Sequence, residues 1–196
     1  MSDRPTFLDE PPVSEAAERM YAEDLESDGY VGNVTRLWCW RPDALEGLAA
    51  LRGLITKESS LSDREIAVLV TATASALRDA YCSLAWGARL AALSDDDTAA
   101  GVISGADNAL SEREVALARW ARQLVRDPNG TTADDVERLR AVGLSDREIF
   151  EATAFAAQRL AFSAVNDALG ARPDLQLFEA APPRVRDAVD FGRAPG

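Results

Sequence analysis

Apolar residues recur along this chain every three or four positions, in stretches punctuated by Pro, Gly and capping Ser or Asp. That is the period of amphipathic helices, and no stretch keeps the strict alternation of a half-buried strand. Ser14 opens a helical pattern to about Glu26, with Ala17, Met20, Tyr21 and Leu25 on one side and Asp28-Gly29-Tyr30 ending it. A short apolar run from Gly32 to Trp40 follows, and Pro42, at a first helical turn, opens a stripe of Leu45, Leu48, Leu51, Leu54 and Ile55. Helices are expected over Ser94 to Ile103, Ser111 to about Val125 and Thr132 to Val142, and a short one over Pro183 to Phe191. Asp127-Pro128-Asn129-Gly130 is a turn, because Pro fixes φ and Asn or Gly tolerates a positive φ.

One pattern occurs three times. Leu61-Ser62-Asp63-Arg64-Glu65-Ile66 returns as Leu144-Ser145-Asp146-Arg147-Glu148-Ile149, and a cousin is Leu110-Ser111-Glu112-Arg113-Glu114-Val115. Each is a capping box: the Ser side chain accepts from the amide three residues on, and the Glu reaches back to the Ser amide. The first and last copies run on in register. Ala74, Leu77 and Ala85 match Ala157, Leu160 and Ala168, and Gly87-Ala88-Arg89 matches Gly170-Ala171-Arg172. Over 61–89 and 144–172, 12 of 29 aligned positions are identical, which indicates an internal duplication of a helical unit. The expected fold is all-α, with about eight helices. Residues 1–13, with Pro5, Pro11 and Pro12, read as an arm, 14–175 as a single helical domain and 176–196 as a tail.

Composition narrows the chemistry. The 196 residues contain 33 Asp and Glu against 21 Lys and Arg, for a net charge of −12. Such a chain repels phosphate backbones and anionic lipid, so neither nucleic acid nor membrane is an expected partner. There is no His, which removes Ser-His-Asp and Cys-His mechanisms and His-ligated metals. Two Cys, Cys39 and Cys82, cannot build a four-ligand zinc site, and they lie in no disulfide framework. Neither a metal nor another cofactor is expected. No signal peptide or apolar span of about 18 residues is visible, so the expected setting is a reduced cytoplasm. Asp95-Asp96-Asp97 reads as dipole complement in a first helical turn.

The stretch Arg78-Asp79-Ala80-Tyr81-Cys82-Ser83-Leu84-Ala85-Trp86 follows the first capped helix. With Gly29-Tyr30-Val31-Gly32-Asn33, the Pro42 helix and the Leu61 to Glu65 helix start, it resembles the alkylhydroperoxidase D and carboxymuconolactone decarboxylase family, in its peroxidase-related branch. The resemblance spans most of the chain. It implies an AhpD-like all-helical fold, a homo-oligomer, and thiol chemistry on hydroperoxides with an external thiol as reductant. The family motif has two Cys three apart, a His beyond the second and a Glu on the preceding helix. Here the second Cys is Cys82, preceded by Tyr81; Asp79 holds the first Cys position, and Trp86 the His position. The Glu position falls near Ala67, with Glu65 two residues earlier.

The candidate catalytic residues are therefore Cys82, Asp79 and Tyr81, with Trp86, Glu65 and Arg78 as pocket residues. A thiol in a first helical turn is favoured as thiolate by the helix dipole, while Asp79 opposes it and Arg78 offsets it if turned inward. In the second repeat Cys82, Asp79 and Trp86 become Val165, Phe162 and Leu169, so a buried structural Cys is the competing reading. Trp38-Cys39-Trp40 suits a pocket wall, but a Trp pair near a helix end is more often core or subunit interface. Three functions stay open. The first is single-cysteine peroxide reduction. The second is decarboxylase-like action of Asp79, Tyr81 and Glu65 on a small organic acid or lactone. The third is a non-catalytic oligomeric or small-molecule-binding protein.

Overall fold

The computed structural model describes residues 4–196. The helices are α1 (Glu15–Ser27), α2 (Asn33–Trp38), α3 (Pro42–Thr56), α4 (Asp63–Leu77), α5 (Ala80–Leu93), α6 (Asp96–Ser104), α7 (Glu112–Arg126), α8 (Ala133–Ala141), α9 (Asp146–Ala168), α10 (Leu175–Ala180) and α11 (Pro183–Ala188). Eight of the 11 have seven or more residues, and no strand occurs among the described residues. The all-α expectation and its helix number hold. The short helix α10 carries no side-chain cap and buries no residue, so its six residues give no amphipathic signal to read.

Helix α4 is the axis of the molecule. All eight residues from Ala67 to Ala74 are buried, and α5, α6, α7 and α9 pack around it. A helix enclosed on every side must be apolar all round. Its exceptions here are threonines, and Thr73 Oγ1 returns its proton to the Leu69 carbonyl at 2.8 Å. Around it Leu84, Leu90, Val102 and Leu117 are fully buried. The core continues past residue 175: Val185 of α11 is also fully buried, and a Cβ at Gly87 would come within 2.9 Å of both Val185 and Ile103.

The three capping boxes form as expected. They also meet. Arg64 donates to Glu114 at 2.6 Å, and Arg113 donates to both Glu65 and, at 2.6 Å, Glu148. The Arg of one motif thus pairs with the capping Glu of another, which ties the N-terminal ends of α4, α7 and α9 into one hub.

The two repeat copies differ at one place. The second copy, α9, runs unbroken for 23 residues. The first divides into α4 and α5, because Arg78 is left-handed (φ 64°) and Asp79 caps α5 by accepting from the Cys82 amide at 2.9 Å. Phe162 stands at the Asp79 position of α9 and offers no cap. The break gives α5 a new N-terminus, with Cys82 in its first turn.

The first three residues of the expected arm lie outside the described residues. The rest has no helix and is tied down: the Phe7 amide donates to Leu169 O at 2.9 Å and the Arg172 amide to Pro5 O at 3.1 Å.

Candidate functional site

The α4–α5 break delivers Asp79, Cys82 and Ser83 to the interior, at 0%, 2% and 0% exposure. Across from them α9 contributes Arg159, Ser163 and Asn166, all buried. Arg159 Nη2 donates to Cys82 Sγ at 3.3 Å. This is the one hydrogen bond its side chain makes among the described residues, and its Nε is buried without a partner. The guanidinium is held by aromatic faces instead, 4.6 Å from the Phe162 centroid and 5.7 Å from that of Trp86. Trp38 stacks on the far side of this group, 5.4 Å from Phe162 and nearly parallel, and donates to Asn166 Oδ1 at 2.8 Å. Asp79 Oδ2, Ser83 Oγ and Asn166 Nδ2 are likewise buried and unpaired.

These neighbours set the state of the thiol. Burial pushes Cys82 up to about 12, the Asp79 carboxylate beside it adds to the push, and Arg159 and the Ser163 hydroxyl pull the other way. Cys82 is protonated at neutral pH, next to a carboxylate that can take its proton and a guanidinium that can hold the resulting thiolate. Half-buried Asp167, one residue beyond Asn166, is raised to about 7 by burial and by the negative charge of Asp79.

The other residues expected at the site lie apart from the sulfur to differing degrees. Trp86, one turn past Cys82, covers Arg159 as a pocket wall would. Tyr81 turns away: its hydroxyl donates to Asp174 Oδ2 at 2.6 Å, and Asp174 Oδ1 accepts from the Asn33 amide at 2.9 Å. Glu65 is at the opposite end of α4, about 20 Å along the helix from Asp79, in its capping box and on Arg113. Arg78 is exposed and lies over the Phe191 ring at 5.2 Å, so it brings no positive charge inward. That part falls to Arg159. Cys39 is buried against α1, its sulfur 3.8 Å from Met20 Sδ, and both cysteines are free thiols.

No protein-family model matches the chain, and no curated protein matches it by sequence. Solved structures do match. An uncharacterized peroxidase-related protein from Silicibacter sp. TM1040 superposes with a TM-score of 0.80 at 24% identity, over 90% of this chain and 97% of that one. An alkylhydroperoxidase AhpD core, an uncharacterized peroxidase-related protein from Ralstonia eutropha JMP134, gives 0.77 at 22%, over 90% and 96%. The chain has the AhpD-like fold. The debrominase Bmp8 shares it, with a TM-score of 0.71 at 14% identity over 97% and 100% of the two chains. A cysteine-to-alanine form of that debrominase, in complex with 2,3,4-tribromopyrrole, gives 0.70 at 14% over 92% and 96%.

On this AhpD-like frame sequence reading singled out Cys82, Asp79 and Trp86 but missed Arg159, Ser163 and Asn166. A signal for Arg159 was present: it is the only charged side chain of α9 between Glu151 and Asp167. A lone charge within an apolar helical stretch must either reach solvent or find a buried partner.

Proposed function

We propose that this AhpD-like protein is a thiol-dependent oxidoreductase that reduces hydroperoxides through a single cysteine, Cys82. The observation that carries the reading is the Arg159 guanidinium 3.3 Å from Cys82 Sγ, with no other hydrogen-bond partner among the described residues. A buried cation with that geometry favours the thiolate over the thiol. Asp79 is the proton acceptor. The thiolate attacks the terminal oxygen of the hydroperoxide, the O–O bond breaks, and the leaving alkoxide takes the proton back from Asp79. The products are the Cys82 sulfenic acid and an alcohol. An external thiol condenses with the sulfenic acid and releases water, and a second thiol cleaves the mixed disulfide to restore Cys82. An external reductant is required because Asp79 occupies the position of a resolving thiol.

The test is intact-mass spectrometry of the reduced protein after a brief dose of cumene hydroperoxide with a sulfenic-acid trap. The expected result is one adduct, on Cys82, absent from Cys82→Ser. No adduct, under conditions where iodoacetamide still labels Cys82, would sink the proposal.

A second reading has its own support: thiol chemistry on a small aromatic molecule. Trp38, Phe162 and Trp86 form an aromatic wall around Arg159, and the fold is shared with a debrominase bound to a brominated pyrrole. Trap-negative protein that binds halogenated pyrroles would favour it. The decarboxylase-like reading gains no such support, since Tyr81 and Glu65 do not converge with Asp79 on one space.

A further inference from the structure

The guanidinium of Arg159 is in use on one arm only. An arginine presents its Nε–H and one Nη2–H side by side in a single plane, a fork that grips two neighbouring acceptors at once. Arg41 shows the fork filled: its Nε and Nη2 donate to the two carboxylate oxygens of Asp43, both at 2.8 Å. Arg159 fills half of it. Nη2 donates to Cys82 Sγ at 3.3 Å, and Nε, on the same edge, is buried with no partner among the described residues. Arg159 is only 9% exposed, so bulk water does not satisfy that donor. A buried donor in this state calls for an explanation, and a catalytic role is one. Aromatic faces hold the plane of the fork, with the Phe162 centroid 4.6 Å and the Trp86 centroid 5.7 Å from Cζ. Asp79 is half used in the same way. Its Oδ1 accepts from the Cys82 amide at 2.9 Å, and its Oδ2 is buried and unpaired. Next to the thiol, then, one donor and one acceptor are free.

We infer that Arg159 Nε is the donor for the oxygen that Cys82 attacks, so that one guanidinium holds both reacting atoms, the sulfur on Nη2 and the oxygen on Nε. The inference rests on the peroxide-reducing reading of Cys82 and goes beyond it. Positive charge alone favours the thiolate toward any electrophile. The fork favours an electrophile that presents an oxygen beside the sulfur, so the class it selects is hydroperoxides over carbon and halogen electrophiles. Asp79 Oδ2 takes the thiol proton. A sulfur lone pair forms the S–O bond to the terminal oxygen on Nε, and the O–O bond breaks. Its electron pair departs on the alkoxide oxygen, which takes the proton from Asp79. Sulfur is oxidised by two electrons and the hydroperoxide is reduced to the alcohol. The terminal oxygen stays on Nε throughout, as a peroxide oxygen before the step and the sulfenic oxygen after it, so the donor is in place before charge moves.

The test compares two rates at Cys82 in the same protein. Iodoacetamide, a carbon electrophile, reads the thiolate alone. Cumene hydroperoxide with a sulfenic-acid trap reads the thiolate and the fork. Both depend on the same thiolate, so a change in its population drops out of the ratio of peroxide rate to alkylation rate. Arg159→Lys keeps the positive charge and loses the fork. Its ratio should fall about 100-fold, the size of one lost oxyanion donor. Phe162→Leu keeps the arginine and frees its plane, and the ratio should fall about tenfold. A ratio that stays within about threefold of wild type in Arg159→Lys overturns the inference, since a point charge then does all that the fork does. If far-UV circular dichroism shows that Arg159→Lys has lost its fold, Phe162→Leu decides by the same criterion. Wild-type protein that iodoacetamide labels and peroxide does not is a different failure: it removes the peroxide-reducing reading itself, and this inference with it.

Discussion

Arg159 reaches from α9 to place Nη2 3.3 Å from the Cys82 sulfur, and Asp79, three residues before that sulfur, holds the amide of Cys82 at 2.9 Å. The thiol sits between a cation that lowers its pKa and an anion that raises it. Arg159→Met removes the favourable member alone. The expected outcome is a Cys82 labelling rate about tenfold lower at pH 8, because the thiol pKa moves further up. Labelling of wild-type protein should rise about tenfold per pH unit from 7 to 10, as it must for a thiol raised to about 12. Mass spectrometry of alkylated protein measures both.

Asp79→Asn separates electrostatics from proton transfer. Asparagine keeps the N-cap, so α5 should still form. Loss of the negative charge lowers the Cys82 pKa, and alkylation should speed up by about an order of magnitude. Peroxide turnover should change in the opposite direction, falling by roughly 100-fold, because no group then takes and returns the proton. If both rates rise together, Asp79 is only an electrostatic brake.

The frame of this site was legible in the chain, and its contacts were not. The Ser62, Ser111 and Ser145 boxes are local signals between residues three apart, and local hydrogen bonds can be read from spacing. The break at Asp79 was legible for the same reason: it is a capping residue where the matching repeat has Phe162. Arg159 lies 77 positions beyond Cys82, and that pairing is set by packing around α4, which no spacing encodes. Arg78 and Arg159 are alike in chemistry; the left-handed turn at Arg78 sends one outward, and burial on α9 holds the other in.

The capping hub bears on stability. Arg113 joins Glu65 and Glu148, and Glu148 is lowered to about 2: burial opposes this, but bonds from Ser145, Ser60 and Arg113 outweigh it. A carboxyl with a depressed native pKa contributes stability that is present above its unfolded value near 4.5. That stability is lost as pH falls toward 2. Arg113→Met should cost about 2 kcal/mol at pH 7 in urea melts, since two largely buried carboxylates lose a charged donor. The deficit should shrink as pH falls from about 4.5 toward 2, where folded Glu148 takes up its proton.

Asp167 has the opposite sign. Burial and the Asp79 charge raise it to about 7, with Arg193 4.0 Å away pulling down. A raised carboxyl holds its proton better in the folded chain than in the unfolded one. Stability should therefore decline as pH rises from about 4 to about 7 and stay reduced above that. Asp167→Asn should flatten this decline and raise the melting temperature at pH 8.

The segment carrying Arg193 lies over the start of α5, and Gly192 decides how closely. Gly192 has φ 73°, and a Cβ there would fall 2.8 Å from Ala80 Cβ and 2.9 Å from the Arg78 carbonyl oxygen. An L side chain disfavours that dihedral, and neither the Ala80 methyl nor the Arg78 carbonyl can give way easily. The rest of the segment is fastened separately: Asn33 Nδ2 donates to Gly196 O at 3.0 Å, and Arg172 donates to Ala194 O and Pro195 O at 3.1 and 2.7 Å. Gly192→Ala should therefore lift the segment off Ala80 while the core, built around α4, stays folded. Cys82 lies two residues further along α5. Its alkylation should rise at least tenfold at fixed pH, with protection of the α4 amides against hydrogen exchange unchanged. Equal labelling of Gly192→Ala and wild type would show that the thiol is reached by another path, such as the aromatic wall beside Trp86.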